Sequence, residues 1–457
     1  MATDALQCIV IGSGPGGYVA AIRAAQLGMQ TAVVEREDVV GGRCLNTACI
    51  PAKAVLRSAD VLSEIDHAAD FGIQVPSREV DFAAVAARRA KVVETLTGGV
   101  SGLFKKNKIQ VIHGTASLTA DGAVRVGDEE LRAPTIVLAT GSVARPIPGT
   151  ELGGRVLDTA GAWLLDDQPA TMAVVGAGAS GAEIASAYAR LGTRVLLLEA
   201  LDRVLPTEDA DISRIAARSF KTQSIETHTS TLVTDVTPGE DSVTFSLGDQ
   251  RETVDFLVIA AGRGPDIEGL GLDAASISLD EQGLVAVDGA QRTSRSGVYA
   301  IGDLVHGPAL AHKASDEGII AVEDAAGLAT HALAYVDIPR ATFCMPNVGS
   351  FGLTEEQARA AGNEVVIGKV PYGAVGAGTV YGDRAGMIKL VGETKYGELL
   401  GGHIIGTRAT ELIAELVAVR ALEGGYAEVA RIVHGHPTFS EAVMEAARAT
   451  DGWLIHG

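Results

Sequence analysis

Cys8-Ile9-Val10-Ile11-Gly12-Ser13-Gly14-Pro15-Gly16-Gly17 is the stretch from which the rest of the chain can be read. Four apolar residues in a row fit a strand buried on both faces of a parallel sheet. The GxGxxG pattern that follows turns the backbone tightly into an alanine-rich helix reaching to about Leu27. A second strand, Thr31-Ala32-Val33-Val34, ends in Glu35. The unit then recurs as Met172-Ala173-Val174-Val175, Gly176-Ala177-Gly178-Ala179-Ser180-Gly181, a helix to Leu191, Val195-Leu196-Leu197-Leu198 and Glu199. In both copies the acid lies 23 residues beyond the first glycine. One such motif is a weak signal, but two in register between strand and helix predict two dinucleotide sites.

The physics is the same in each. Gly12, Gly14 and Gly17, and likewise Gly176, Gly178 and Gly181, let the backbone approach a pyrophosphate lying on the positive end of a helix dipole. Glu35 and Glu199 can then accept hydrogen bonds from a ribose hydroxyl. Ile136-Val137-Leu138-Ala139-Thr140-Gly141 and Leu257-Val258-Ile259-Ala260-Ala261-Gly262 close the two halves in matching style. Thr293–Asp303 then places an acid just after a strand, with Ala309-Leu310-Ala311-His312 following. Two-dinucleotide flavoproteins return to their first domain with such a segment, its Asp on the ribityl chain. The first site is therefore expected to hold FAD, with Arg36, Gly42, Arg43, Lys53, Gly114, Ser142 and Asp303 among its contacts. The second is expected to hold a nicotinamide dinucleotide, with Ala179, Ser180, Glu183 and Val233 joining its glycines. A carboxylate at Glu199 would repel a 2′-phosphate, which favours NAD.

The predicted fold class is α/β: two Rossmann-like dinucleotide-binding domains, the first interrupted by the second, plus a C-terminal α+β domain. The expected boundaries are 1–143, 144–264, 265–336 and 337–457. With 457 residues the chain has room for several cores. A net charge of -20 and no Lys/Arg run argue against nucleic-acid or anionic-membrane partners. Met1-Ala2-Thr3-Asp4-Ala5-Leu6-Gln7 shows no export signal, and no apolar run has transmembrane length, so a cytoplasmic protein is expected. No metal site is expected.

Four cysteines in a chain this long do not make a disulfide scaffold. Cys8 and Cys344 read as buried and inert, whereas Cys44 and Cys49 stand among polar residues and glycines in Gly41-Gly42-Arg43-Cys44-Leu45-Asn46-Thr47-Ala48-Cys49-Ile50-Pro51-Ala52-Lys53. On an ideal helix such a pair would be about 8–9 Å apart at Cα. A disulfide needs roughly 4.4–6.8 Å. If the two bridge, the helix must begin distorted at Cys44.

The thiol segment together with His434-Gly435-His436-Pro437-Thr438-Phe439-Ser440-Glu441 resembles the dihydrolipoamide dehydrogenases, and the resemblance runs nearly end to end. These are FAD-linked disulfide reductases that reoxidise protein-bound dihydrolipoamide with NAD. Glutathione and mercuric reductases share the fold and thiol spacing. They favour NADP, however, and mercuric reductases typically add a C-terminal cysteine pair; no cysteine here lies beyond Cys344. The resemblance implies that Cys44 is the interchange thiol and Cys49 the thiol against the flavin. Lys53 would pair with Glu183. His436 would be the general base, supported by Glu441 and contributed across a homodimer interface, with His434 in a supporting role. The implied partner is a lipoyl-carrying protein.

Several positions depart from the family pattern. Ala48 and Ala52 stand where Gly and Ser are usual, and a positive φ at 48 would strain an alanine. Arg263-Gly264-Pro265-Asp266 and Met345-Pro346-Asn347-Val348-Gly349 vary two further motifs. Ala179-Ser180 replaces bulkier apolar residues, which predicts a looser nicotinamide pocket and altered NADH inhibition. An A179V/S180I variant is expected to change the Ki for NADH; an unchanged Ki counts against a looser pocket.

Overall fold

The computed structural model describes residues 5–457. Met1–Asp4, part of the stretch read for an export signal, lie outside the described residues. The chain divides into two compact units.

The first unit comprises Met1–Ala54, Ala83–Arg145 and Gly262–Tyr335. Its main sheet has five parallel strands in the order Val298–Ala300, Thr135–Leu138, Cys8–Ile11, Thr31–Glu35 and Gln110–His113. Cys8–Ile11 and Thr31–Glu35 are buried throughout, as central parallel strands require. The Pro15–Gln26 helix starts with proline at its head, where a missing N–H costs nothing. It packs against the Ala311–Ala325 helix through residues with little or no side chain. A Cβ on Gly318 would come within 2.7 Å of the Gly16 carbonyl oxygen. An antiparallel three-stranded sheet and the two-stranded Ser142–Ala144/Arg263–Pro265 ribbon complete this unit.

The second unit comprises Val55–Phe82, Pro146–Ala261 and Val336–Gly457. It holds another five-stranded parallel sheet, ordered Glu226–His228, Arg194–Leu198, Thr171–Val175, Phe256–Ile259 and Val156–Asp158. The doubly wound reading therefore holds for both glycine turns.

A separate antiparallel sheet in this unit runs Arg340–Thr342, Val348–Gly352, Leu399–Ile405, Met387–Glu393 and Val365–Pro371. Ala409–Ala421 and Ser440–Thr450 pack on it, and Thr354 caps the Glu355–Ala360 helix in a reciprocal box with Gln357. Its register lines up Arg340, Ser350, His403, Lys389 and Lys369 in one row across all five strands. Carboxylates from the start of the Ala210–Thr222 helix meet this row. Buried Lys389 Nζ reaches Asp209 at 2.8 Å, Asp211 at 3.0 Å and Glu355 at 2.8 Å. Arg340 reaches Glu208 at 3.3 Å. A charge removed from water is tolerated only when paired in this way. Burial holds His403, in the same row, below the usual histidine range.

Among the described residues no helix is long and apolar enough to cross a membrane, and no cluster suits a metal ion.

Candidate active site

In the first unit the two outer glycines of the turn are fixed by internal crowding. A Cβ on Gly12, whose φ is +98°, would sit 2.4 Å from the Ala139 oxygen, and one on Gly17 would sit 1.9 Å from the Gly12 oxygen. Gly14 differs: a Cβ there meets no protein atom within 4 Å. Glu35 ties the loop from below. Its Oε2 accepts from Ser13 N at 2.9 Å and Ser13 Oγ at 2.5 Å, while its Oε1 accepts from Glu37 N at 3.0 Å. Ser13 Oγ also accepts from Gly41 N at 3.0 Å, linking the glycine turn to the cysteine segment. Gly114 follows the last strand of the sheet, and its N–H donates to the Glu35 carbonyl at 2.8 Å.

Asp303 sits in a one-turn 3₁₀ helix after the Val298–Ala300 strand. It accepts from Ser142 Oγ at 2.6 Å and faces Arg263 at 3.3 Å. Arg263 also donates to the Ala309 carbonyl at 3.2 Å, just before Leu310 caps the helix that begins at Ala311-His312. Thr140 Oγ1 donates to the Asp266 carbonyl at 2.6 Å, the Gly141 carbonyl accepts from Asp266 N at 3.0 Å, and Arg36 pairs with the Asp266 carboxylate at 2.8 Å.

Cys44 and Cys49 lie on two separate helices, Gly42–Asn46 and Cys49–Asp66, broken at Thr47-Ala48. The helical path thus breaks between the two cysteines. The break has local causes: Asn46 Nδ2 donates to the Gly42 and Val40 carbonyls, and the N–H groups of both Thr47 and Ala48 converge on the Arg43 carbonyl. Ala48 is not among the residues with positive φ, so an alanine there carries no left-handed strain. Gly41 (φ +111°) and Gly42 (φ +59°) carry the unusual backbone instead, and Gly42 lies against Gly14, where a Cβ would come within 2.6 Å of its Cα. Neither cysteine is in a disulfide. The Cys44 pKa is pushed up by its hydrogen bond with Cys49 and then by burial, while the Lys53 ammonium pulls it down.

In the second unit Glu199 repeats the work of Glu35, accepting from Ala177 N at 2.6 Å and Leu201 N at 2.9 Å. A Cβ on Gly178 again meets no protein atom within 4 Å, whereas Gly176 and Gly181 are crowded by backbone. Ala179 and Ser180 are exposed at the head of the helix. Glu183 is buried and accepts from Phe343 N at 2.9 Å, and Val233 opens the Val233–Pro238 strand. Lys53 belongs to the first unit and Glu183 to the second. His436 Nδ1 lies 2.9 Å from Glu441 Oε1, and Glu441 Oε2 accepts from Thr438 N at 2.8 Å. Burial pushes the Glu441 pKa up, but the Thr438 N–H and His436 outweigh it and hold it low. The imidazole itself is 75% exposed, so the ring nitrogen opposite Glu441 is accessible in this chain.

A family model described as pyridine nucleotide-disulphide oxidoreductase matches residues 6–318, and the dimerisation domain of the same family matches residues 338–447. The chain belongs to the pyridine nucleotide-disulphide oxidoreductase family. It is 39% identical to a dihydrolipoyl dehydrogenase of Bacillus subtilis, with 100% of both chains covered. It is also 39% identical to one from Thermus scotoductus, with 98% of each covered. Among solved structures it is similar to the HOCl-induced flavoprotein disulfide reductase RclA from Escherichia coli. That match has 27% identity and a TM-score of 0.88, covering 97% of this chain and 99% of the other.

As a member of this family the chain is a flavin disulfide oxidoreductase that uses FAD and NAD, and it carries the domain through which the family forms homodimers. Its residues fit both dinucleotides. A Cβ on Gly14 or Gly178 would meet no protein atom within 4 Å among the described residues, and each loop is tied by a buried carboxylate, as a pyrophosphate cradle requires. Arg263, Asp266, Ser13, Thr438 and Glu415 were given no role from sequence. All but Glu415 lay inside quoted motifs, but their partners could be known only from the fold. His434 has both ring nitrogens engaged, with Glu415 at 2.6 Å and the Ile432 carbonyl at 2.9 Å. The Glu415 hydrogen bond raises its pKa above the usual value. Its charged form therefore adds stability that is full below about pH 6.5 and is lost as pH rises through the raised folded value. The melting-point deficit of H434Q should be largest near pH 6 and shrink toward pH 9. A deficit independent of pH would mean that His434 contributes packing alone.

Proposed function

We propose that this protein oxidises protein-bound dihydrolipoamide to lipoamide and delivers the two electrons to NAD. The observation that carries the reading is the thiol pair of Cys44 and Cys49, hydrogen-bonded to one another under the influence of Lys53 and Asp303. The full-length similarity to dihydrolipoyl dehydrogenases supports the choice of substrate.

In the cycle, His436 of the partner subunit takes a proton from one thiol of dihydrolipoamide, with Glu441 balancing the imidazolium charge. The resulting thiolate attacks Cys44 Sγ in the oxidised Cys44–Cys49 pair, and Cys49 leaves as a thiolate. The second substrate thiol then attacks the mixed disulfide, closes lipoamide and releases Cys44. Substrate has lost two electrons and the cysteine pair has gained them. FAD, when bound, carries such an electron pair onward to NAD as a hydride. Gly12, Gly14, Gly17, Glu35 and Asp303 would hold the flavin. Gly176, Gly178, Gly181 and Glu199 would hold NAD. Lys53 would favour thiolate over thiol at the cysteine pair.

The partner would be a lipoyl-carrying protein of a 2-oxo acid dehydrogenase complex, the glycine cleavage system or a related assembly, and the compartment the cytoplasm. The test is to compare purified holoenzyme with dihydrolipoamide plus NAD against glutathione disulfide plus NADPH. NADH formation in the first assay alone is expected. Turnover only in the second would assign the protein to another disulfide substrate.

A further inference from the structure

Lys313 and Glu317 form a buried ion pair one helical turn apart, 3.1 Å between Nζ and Oε1, with side chains 1% and 0% exposed. Neither has a part in the thiol chemistry. A pair so deep in the protein costs more in desolvation than an apolar pair of the same shape would, so its hydrogen bonds indicate its purpose. They converge on one residue, whose N–H and carbonyl belong to two successive peptide units. Lys313 Nζ donates to the Gly302 carbonyl at 2.9 Å, and Glu317 Oε2 accepts from the Gly302 N–H at 2.7 Å. Tyr335 OH donates to Glu317 Oε1 at 2.6 Å, and its ring lies 5.3 Å from the Lys313 ammonium.

Gly302 is held at φ +74°, and the next residue is Asp303, whose carboxylate is fixed by Ser142 and Arg263. A left-handed residue with both polar groups gripped by buried side chains cannot rotate, so the direction in which Asp303 leaves the backbone is set before any ligand arrives. We infer that Lys313 and Glu317 are positioning residues for the flavin site: a charged clamp on the backbone of Gly302 that holds Asp303 ready for the hydroxyls of the FAD ribityl chain. The inference rests on the reading of Asp303 given above. Tyr335 closes the network, so that neither charge is left without a partner.

The clamp and the Asp303 reading can fail separately, and the test keeps them apart. The probe is FAD itself, titrated into the full-length chain stripped of flavin and followed by quenching of flavin fluorescence. Removing one charge alone would strand the other, so the informative variant is K313M/E317M, which removes both. Its FAD Kd is expected to rise about tenfold while the melting point of the stripped chain stays near that of wild type, because two hydrogen bonds to the backbone of one residue are lost without a cavity. K313M/E317Q, which keeps a neutral acceptor for the Gly302 N–H, should recover part of the loss. Adding D303A should abolish the difference between clamped and unclamped chains, because the clamp acts only through Asp303.

An unchanged Kd in K313M/E317M with a raised Kd in D303A overturns the clamp and leaves Asp303 as a flavin ligand. An unchanged Kd in D303A overturns the Asp303 reading. Equal losses from K313M/E317M with and without D303A would make the pair a general scaffold and also overturn the clamp.

Discussion

Replacing Cys44 by Ser is expected to lower turnover of dihydrolipoamide with NAD by at least about a thousandfold while the purified protein remains yellow. The first half follows from chemistry: a serine hydroxyl cannot enter thiol–disulfide exchange, so the substrate thiolate has no sulfur to attack. The second follows from the fold. The groups proposed to hold the flavin, from the Gly12–Gly17 turn with Glu35 to Asp303 with Ser142, make none of their observed hydrogen bonds through the Cys44 side chain. Cys44 is only partly buried on a five-residue helix whose geometry is set by glycines and Asn46, so losing its sulfur leaves that helix intact. Steady-state assay and the flavin absorbance of the same preparation check both halves. Turnover near that of wild type would remove the cysteine pair from the electron path.

His436→Gln is expected to lower kcat/KM for dihydrolipoamide by about 10²–10⁴-fold, the range for losing a general base, with flavin content and melting point unchanged. His436 is largely exposed and its side-chain partner is Glu441, so little packing is lost with it. Glu441→Gln should cost less, since the ring stays in place but its positive form loses its countercharge. Because Glu441 is held as a carboxylate by the Thr438 N–H and by His436, it supports the imidazolium from low pH upward. The pH profile of kcat/KM in the wild type should carry a rising limb set by its general base. In H436Q that limb should flatten, and a variant that keeps the wild-type limb would remove His436 from proton transfer.

The glycine turns were legible because every part of them is local: strand, turn, helix and acid follow at fixed spacing. The structure shows why the acid must be there. Glu35 and Glu199 bind their own loops through backbone N–H groups whose positions the turn itself dictates. The thiol pair was legible as chemistry but not as geometry. An ideal helix was the reference, and the break at Thr47-Ala48 depends on Asn46 and on an Arg43 carbonyl shared by two amides. Lys313 and Glu317 stand one turn apart on their helix, yet nothing in the sequence marks Gly302 as their target. The same holds for Lys389, whose acidic partners at Asp209 and Asp211 are nearly two hundred residues away. Charges that meet only through the tertiary fold leave no periodic trace.

The central claim is that electrons from substrate enter through Cys44 and Cys49. Oxidised holoenzyme should be treated anaerobically with one equivalent of dihydrolipoamide, alkylated at once and mapped by mass spectrometry. Cys8, its pKa pushed up to about 12 by burial, and Cys344, also buried, serve as internal references. Substrate-dependent alkylation of Cys44 and Cys49, with Cys8 and Cys344 unchanged, is the predicted result. Labelling of Cys44 and Cys49 that does not respond to dihydrolipoamide would contradict the account.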